Sequence, residues 1–410
     1  MKQNLQILAA VFFGGVLTAS ADLTIPSDGS DGALNITQDT VIDLSQAVTG
    51  VWDQNNAANA GKGVYDPDKW AIVFKYTSVN IAGHTSGIPA VIDGRKLKFK
   101  NHPSHAPVVW LVQGSVNIEG IVDVAGQEAA TPDPTLGILP RESGPGGFRG
   151  AAFGPSGRGS GYGPGGSGPG GFTTGHGVYL TAYGNPQIIP LIGGSGGGSY
   201  QYSSTISAGA GAGGAILIAA AQTITVSGRI DARGGEGFDS SSSGSGGAIR
   251  LIAQQVIGGG ALQAVSPGEP GRLRIETATP LPTAPAPVLQ TFPETIGVPP
   301  SNPPIIWPAA NAPKARVVSV DAQPAPADPS SPLVAAADVA IQNNNPVNIL
   351  IETRDFPIEG VVQLAVIPKF AGRSMLPATR IGGDINLATW RVTTTLPKGF
   401  VTLQARATQP

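Results

Sequence analysis

Short apolar runs that alternate with other residues recur along much of this chain, and three of them are variants of one phrase. GGAILIAA occupies residues 213–220, GGAIRLIA residues 246–253 and GRLRIE residues 271–276. Each run holds two apolar residues with one residue between them. This middle residue varies in kind from run to run, from Leu217 to Arg250. A period of two residues is typical of a β-strand with one buried face. The three runs therefore predict equivalent strands in successive structural repeats.

A second phrase occurs twice. Residues 116–128 read VNIEGIVDVAGQE, and residues 224–236 read ITVSGRIDARGGE. Each copy predicts two short strands joined by a glycine corner, which is typical of a β-solenoid. Together with the first phrase, it predicts three strands per coil and about four coils. We therefore expect residues 22–277 to form a short right-handed parallel β-helix, in which residues 22–69 are an N-terminal cap.

A long glycine-rich insertion interrupts the predicted coils at residues 126–213. Without it, the two copies of the second phrase would lie on adjacent coils. Half of residues 144–171 are glycine, a composition that suits neither a helix nor an ordinary strand. The insertion is either a flexible loop or a set of extended, polyglycine-II-like segments packed side by side against the solenoid. The second alternative is favoured for residues 144–171, 193–214 and 234–247, because glycine lets backbones approach closely.

The pattern changes after residue 277. Residues 278–313 are rich in proline, which predicts an extended Pro-rich linker. Alternating runs divided by Pro, Gly and Asn turns then fill residues 314–410. Short strands at this spacing predict an Ig-like β-sandwich. The predicted fold class is therefore all-β, with a parallel β-helix followed by a sandwich.

Several of these phrases also resemble known sequences. FKNHPSHAPVVWLVQG at residues 99–114, GAILIAA and GGAIRLIA are similar to phrases in a group of exported, glycine-rich bacterial proteins of unknown function. More loosely, the predicted coil resembles the right-handed parallel β-helix of pectate lyases and phage tailspikes. The resemblance implies a fold and no activity.

Composition narrows the class of protein. Only 13% of the 410 residues are charged, the formal net charge is −2, and the sequence has no cysteine and no cluster of basic residues. Nucleic acid is not an expected partner, because its phosphates require clustered cations. The absence of cysteine excludes disulfides and thiolate metal sites.

Residues 1–21 have the pattern of a secretory signal peptide. Lys2 supplies the positive charge, residues 5–18 are apolar and uncharged, and small residues precede a cleavage site after Ala21. We therefore expect an exported protein that is extracellular, attached to the cell surface or periplasmic. The sequence predicts no transmembrane segment in the mature chain.

The third predicted strand of each coil carries a polar residue at its outward middle position. These residues are Lys98, Asp123, Asp231 and Gln263. If Asp123 and Asp231 lie on adjacent coils, their carboxylates are about 5 Å apart. They could form a saccharide or Ca²⁺ site, and Ca²⁺ is the single cofactor that the sequence suggests. The alternative is a salt-bridged surface ladder, which is favoured. In it Lys98 flanks Asp123, and Asp231 pairs with Arg229 or Arg233.

Aromatic residues are frequent in the glycine-rich insertion. Tyr162, Tyr179 and Tyr183 are candidates for stacking on sugar rings, with arginines such as Arg149 and Arg158 beside them. The alternative is that these rings anchor the glycine runs to the solenoid. We favour anchoring, because an exposed apolar patch is costly.

These features favour an exported, non-enzymatic surface or matrix protein, adhesin-like, that binds polysaccharide or a cell-surface glycan. A polysaccharide lyase or glycosidase on a β-helix scaffold is the first alternative, and a purely structural envelope protein is the second. An enzyme of that kind predicts three or more carboxylates and a base on one outer wall. The sequence supplies two carboxylates there, so catalysis is not the leading hypothesis.

Overall fold

The computed structural model describes residues 22–83, 95–129, 141–154, 157–168, 170–171, 183–202, 205–281, 288–290, 294–328, 337–342 and 345–410. The predicted signal peptide lies outside these residues. The described chain is nearly all β, as predicted. Its described helices are three 3₁₀ turns, at Leu44–Gln46, Ala57–Asn59 and Ser240–Ser242.

Nine strands precede the glycine-rich insertion. They are β1 (Gly32–Ile36), β2 (Thr40–Asp43), β3 (Val48–Thr49), β4 (Val64–Asp66), β5 (Ala71–Ile81), β6 (Lys96–Lys100), β7 (Val108–Val112), β8 (Val116–Ile118) and β9 (Ile121–Asp123). Strand β5 is long enough to pair in parallel with both β7 and β8. It therefore combines the first two strands of the predicted earliest coil.

Five short strands lie within the described parts of the insertion. They are β10 (Phe153–Gly154), β11 (Gly157–Arg158), β12 (Gly170–Gly171), β13 (Tyr200–Tyr202) and β14 (Thr205–Ser207). Most of the described insertion is instead extended backbone outside any ladder, and it is hydrogen-bonded sideways. The amide of Gly211 donates to the carbonyl of Gln127 at 2.9 Å, and the amide of Gly235 donates to the carbonyl of Gly211 at 2.8 Å. In their described parts the runs lie side by side, as the favoured alternative predicted, and their polyglycine-II-like conformation stays a prediction.

Nine strands follow the insertion. They are β15 (Ala215–Ala220), β16 (Thr223–Val226), β17 (Arg229–Asp231), β18 (Ala248–Ala253), β19 (Gln255–Ile257), β20 (Ala261–Gln263), β21 (Arg272–Thr277), β22 (Val288–Gln290) and β23 (Glu294–Val298). The first parallel row runs β5-β7-β15-β18-β21-β23, and β8, β16 and β19 extend the same sheet. The second parallel sheet runs β2-β6-β9-β17-β20-β22.

The apolar core lies between these two sheets. One column of this core follows the strand register and consists of Phe74, Trp110, Ile218, Leu251 and Ile275. The predicted equivalence of the recurring strands is therefore confirmed.

The outer face of the first sheet is also buried, whereas the sequence pattern predicted one buried face. The N-terminal Leu23 and Ile25, the insertion residue Ile188 and the later Ile306 pack on Leu217 and its outward neighbours. Runs such as AILIAA are apolar at every position, which is the pattern of strands covered on both faces.

The predicted linker over residues 278–313 is wrong. Strands β22 and β23 lie inside this segment and continue the two parallel sheets by pairing with β20 and β21. The high proline content favoured an extended linker. The short apolar runs between the prolines nevertheless form strands and extend the core.

The last eight strands form two antiparallel sheets. They are β24 (Lys314–Val320), β25 (Gln323–Pro324), β26 (Val347–Arg354), β27 (Val361–Pro368), β28 (Ser374–Pro377), β29 (Thr379–Gly383), β30 (Ala388–Thr394) and β31 (Val401–Thr408). One sheet has the order β25-β24-β26-β30-β29 and the other β28-β27-β31. Ile349, Leu364 and Trp390 belong to one apolar cluster that both sheets share.

Candidate functional site

The predicted pair of carboxylates is present on the outer face of the second sheet. Asp123 in β9 lies directly opposite Asp231 in β17, with Lys98 and Gln263 in the flanking strands. The predicted adjacency of the two aspartates is confirmed. A glycine corner, at Gly120 or Gly228, precedes each of these strands at the same distance from the aspartate. The repeated phrase therefore places the two aspartates side by side in the sheet.

Cations occupy the surroundings of both carboxylates. The Lys96 ammonium lies 2.9 Å from Asp123 Oδ2, and the Lys98 ammonium lies 4.0 Å away. The Arg233 guanidinium donates to both oxygens of Asp231, at 2.9 and 2.8 Å. The hydrogen bond to Asp231 raises the pKa of Arg233. Lys96 is the member of this ladder that the sequence analysis missed, because it belongs to the neighbouring row.

Burial and charge favour the salt-bridged ladder over a cation site. Asp231 is 2% exposed, and Arg229 also approaches it, with Nε 3.6 Å from Oδ2. A calcium site requires six to eight oxygen ligands, which these two neutralised carboxylates do not supply. Among the residues that the structure describes, no group of three or more His, Cys, Asp or Glu side chains could hold a metal ion.

The tyrosines proposed as sugar-stacking residues are buried or hydrogen-bonded within the protein where they are described, but their side chains contact the antiparallel sheets and the insertion itself rather than the predicted solenoid. Tyr162 is buried and packs against Ala365 and Ile367 of β27. The Tyr183 hydroxyl donates to the carbonyl of Gly193 at 2.6 Å and accepts from Ser195 Oγ at 3.0 Å. Burial raises the pKa of Tyr162 to about 12, and it also raises the pKa of Tyr183. The third candidate, Tyr179, lies outside the described residues.

A cleft that the sequence analysis did not predict lies between the glycine-rich insertion and the antiparallel sheets. Its volume is about 740 Å³, within the range of ligand sites in proteins. The floor includes Trp70, Phe148 and Arg149, and the opposite wall includes Val339 and Phe400. These residues are distant in sequence, so no local pattern could have indicated the cleft.

Two polar contacts hold the walls of the cleft together. The Arg373 Nη2 group donates to the carbonyls of Gly161 and Gly163 at 2.9 and 2.7 Å, and Gly163 lines the cleft. The Tyr65 hydroxyl donates to Asp328 Oδ1 at 2.6 Å. Asp328 follows Ala327, which also lines the cleft. The cleft is therefore bounded by specific contacts between the two parts of the chain.

Aromatic rings form part of the cleft floor. Trp70 and Phe148 are stacked, with centroids 6.4 Å apart and planes at 28°, and both side chains are half-buried. The Trp70 indole donates to the carbonyl of Ser104 at 3.0 Å, which fixes the ring. A partly exposed, fixed aromatic surface can contact the apolar face of a ligand without further ordering.

No protein-family model, curated protein or solved structure matches this chain. The chemistry of the cleft is therefore inferred from its own residues.

Among the described residues, four Arg, Lys, Asp or Glu side chains line the cleft. They are Arg149, Arg316, Asp338 and Lys398. His105 also lines it, but burial, with the charges of Arg149 and His102, lowers its pKa to about 3. His105 is therefore uncharged at neutral pH, and the lining carries three cations and one carboxylate.

Within the described part of the chain, no helix is long and apolar enough to cross a membrane.

Proposed function

We propose that this chain is an exported, non-enzymatic surface or matrix protein that binds polysaccharide or a cell-surface glycan in the cleft. The observation that carries the proposal is the 740 Å³ cleft with the stacked Trp70–Phe148 pair on its floor. Sugar rings have an apolar face and a polar rim. A site for them needs a fixed aromatic surface with a few polar groups around it.

The proposal includes a finer description of the scaffold. The two parallel sheets are proposed to be the walls of a short right-handed parallel β-helix, to which β22 and β23 add a last coil. The register of the strands supports stacked coils, and right-handed crossovers are the strong preference of parallel strands. The antiparallel sheets are proposed to be an Ig-like sandwich. Their shared apolar core supports this assignment.

Binding without catalysis is favoured by the distribution of carboxylates. A glycosidase needs two carboxyl groups that flank the scissile bond. Among the described residues that line the cleft, Asp338 is the one carboxylate. The carboxylates of Asp123 and Asp231 do form a pair, but this pair does not line the cleft and is neutralised by lysine and arginine. No specific observation favours the lyase, the glycosidase or the purely structural alternative.

The test is retention of the chain from Asp22 onward on a panel of immobilised polysaccharides, with soluble products measured in the same samples. We expect retention without products. Phe148→Ala should weaken retention roughly tenfold, because a stacked aromatic contact contributes about 1 kcal/mol beyond its buried area.

Phe238→Ala is the matched control, since Phe238 is an aromatic residue, 49% exposed, that does not line the cleft. Thermal unfolding of both variants separates loss of binding from loss of folding. Release of sugar products by the parent chain would contradict the non-enzymatic proposal. Equal retention of the Phe148 and Phe238 variants would place the binding site elsewhere.

A further inference from the structure

The charges around the cleft indicate which glycans it takes. In the described part of the lining, Arg149, Arg316 and Lys398 face a single carboxylate, that of Asp338. His105 adds no positive charge at neutral pH, since burial lowers its pKa to about 3. The lining is cationic, although the whole chain has a net charge of −2.

Each arginine has a nearby carboxylate that does not line the cleft, and the contact is a short hydrogen bond for Arg149 and a longer ion pair for the exposed Arg316. Arg149 Nε lies 2.7 Å from Glu142 Oε1, and Arg316 Nη2 lies 3.5 Å from Glu352 Oε1. Glu352 also accepts from Arg354, so one carboxylate serves two guanidinium groups and this cluster keeps an excess positive charge. Guanidinium groups bind carboxylates in a planar, two-point geometry, and fixed ones lose little freedom when they do so.

Lys398 supplies a third cation at the rim of the cleft. It lies in the loop between β30 and β31, it is exposed, and it lines the cleft. Within the described ranges, no ion pair or hydrogen bond engages its ammonium group. An unpaired lysine on a flexible stem acts as a point charge for an anionic group of the ligand.

From this combination we propose that the cleft selects polysaccharides that carry carboxylate groups, such as chains of uronic acid residues. The stacked Trp70–Phe148 pair contacts the ring face, and the cations meet the carboxylates. This inference rests on the proposed function, since it specifies the ligand of the same cleft.

The test compares one uronic acid polymer with the same polymer after its carboxyl groups have been reduced to alcohols. The two probes share a backbone and differ in charge. We expect the folded chain to bind the acidic polymer at least roughly tenfold more tightly at low salt, with the difference shrinking at high salt as the charges are screened.

Lys398→Gln should reduce this difference, while Lys62→Gln should leave it unchanged. Lys62 is exposed in the N-terminal region and does not line the cleft. Equal binding of the two polymers would overturn the proposed selectivity and leave glycan binding in place. Binding of neither polymer, with retention of another glycan, would also overturn it. Failure to retain any polysaccharide would overturn the proposed function itself.

Discussion

Arg250 and Asp231 show how this fold buries charged residues in apolar sheets. Arg250 is 1% exposed, and its guanidinium donates to Glu276 Oε1 at 2.9 Å and to the carbonyl of Ile305 at 2.8 Å. Asp231 is buried beneath the fork of Arg233. Burial lowers the pKa of Arg250, and Glu276 opposes that effect. Removing Glu276 would leave the buried Arg250 guanidinium without its carboxylate, the costly outcome for a buried pair.

His105 makes a different prediction, since it is buried in the neutral form. Its pKa is about 3 in the folded chain, and the ordinary value of 6.5 returns on unfolding. Between these two pH values the unfolded chain binds a proton that the folded chain does not. The free energy of unfolding should therefore fall as the pH is lowered from about 6.5 towards about 3.

Urea unfolding of the parent chain and of His105→Asn across this range checks the prediction. Asparagine tolerates the positive φ of 54° at this position, and its amide does not titrate. The variant should lose part of the pH dependence. His102→Asn is the comparison: burial also lowers the pKa of His102, but this ring is half-buried while His105 is buried, so the His102 variant should lose less of the pH dependence. If the two variants respond to pH alike, burial of His105 is not the cause.

At the scale of elements, local sequence patterns predicted the strands. They did not predict the distant segments that cover the outer face of the first sheet. The alternation in GGAIRLIA was enough to place β18 beside β15, because strand register depends on neighbours in the same phrase. The burial of Arg250 depends on Ile305, which lies far along the chain. The segment containing β22 and β23 was assigned to a linker because its prolines outweighed two short apolar runs.

The glycine-rich segments are elements of a separate kind, joined by contacts that leave no room for a side chain. A Cβ atom on Gly211 would lie 1.9 Å from the carbonyl oxygen of Glu142, and one on Gly196 would lie 1.8 Å from that of Arg149. The glycine Cα–H groups therefore point at carbonyl oxygens, as weak Cα–H···O contacts require. Composition predicted this packing, whereas the order of neighbours followed only from the hydrogen bonds.

Gly211→Ala should destabilise the chain by about 1–3 kcal/mol, the usual cost of forcing extra atoms into a packed region. Its φ is not in the left-handed region, so the expected cost is steric. Chemical denaturation measures the effect.

Gly372→Ala is the matched control, because nothing lies within 4 Å of the added Cβ. It should be close to neutral. A loss of stability as large as that of Gly211→Ala would argue against the close packing of the glycine segments.

At the scale of the whole molecule, the cleft depends on how the antiparallel sheets sit on the glycine segments. Tyr162 forms one apolar cluster with Ala365 and Ile367 of β27 across this contact, and Phe148, Met375 and Phe400 pack against the cluster. No single stretch of sequence contains the cleft, which is why the ladder of Asp123 and Asp231 could be predicted and the cleft could not.

Arg373→Ala should loosen this contact. Burial lowers the pKa of Arg373 to about 10. Its loss leaves the carbonyl of Gly161 without its donor, while the carbonyl of Gly163 keeps the amide of Gly166 at 3.2 Å. An unsatisfied buried carbonyl costs about 1–3 kcal/mol. Amide hydrogen exchange at residues 160–163 should become faster, and glycan retention should weaken.

Arg391→Ala is the control for this variant, because Arg391 is an exposed arginine of β30. It should change neither exchange nor retention. Unchanged protection of residues 160–163 in Arg373→Ala would show that the apolar contacts alone hold the cleft walls.

The pairing of β7 with β15 has a consequence for how the chain assembles. These strands are neighbours in the sheet, but the whole glycine-rich insertion separates them along the chain. Folding slows as contacting residues become more distant in sequence, since the intervening loop must be closed first. Until β15 pairs with β7 and β17 pairs with β9, each of these two earlier strands has an unpaired edge. These edges stay unpaired until the glycine-rich segments have packed together. We therefore expect the packing of the glycine-rich insertion to control the rate at which the parallel sheets form.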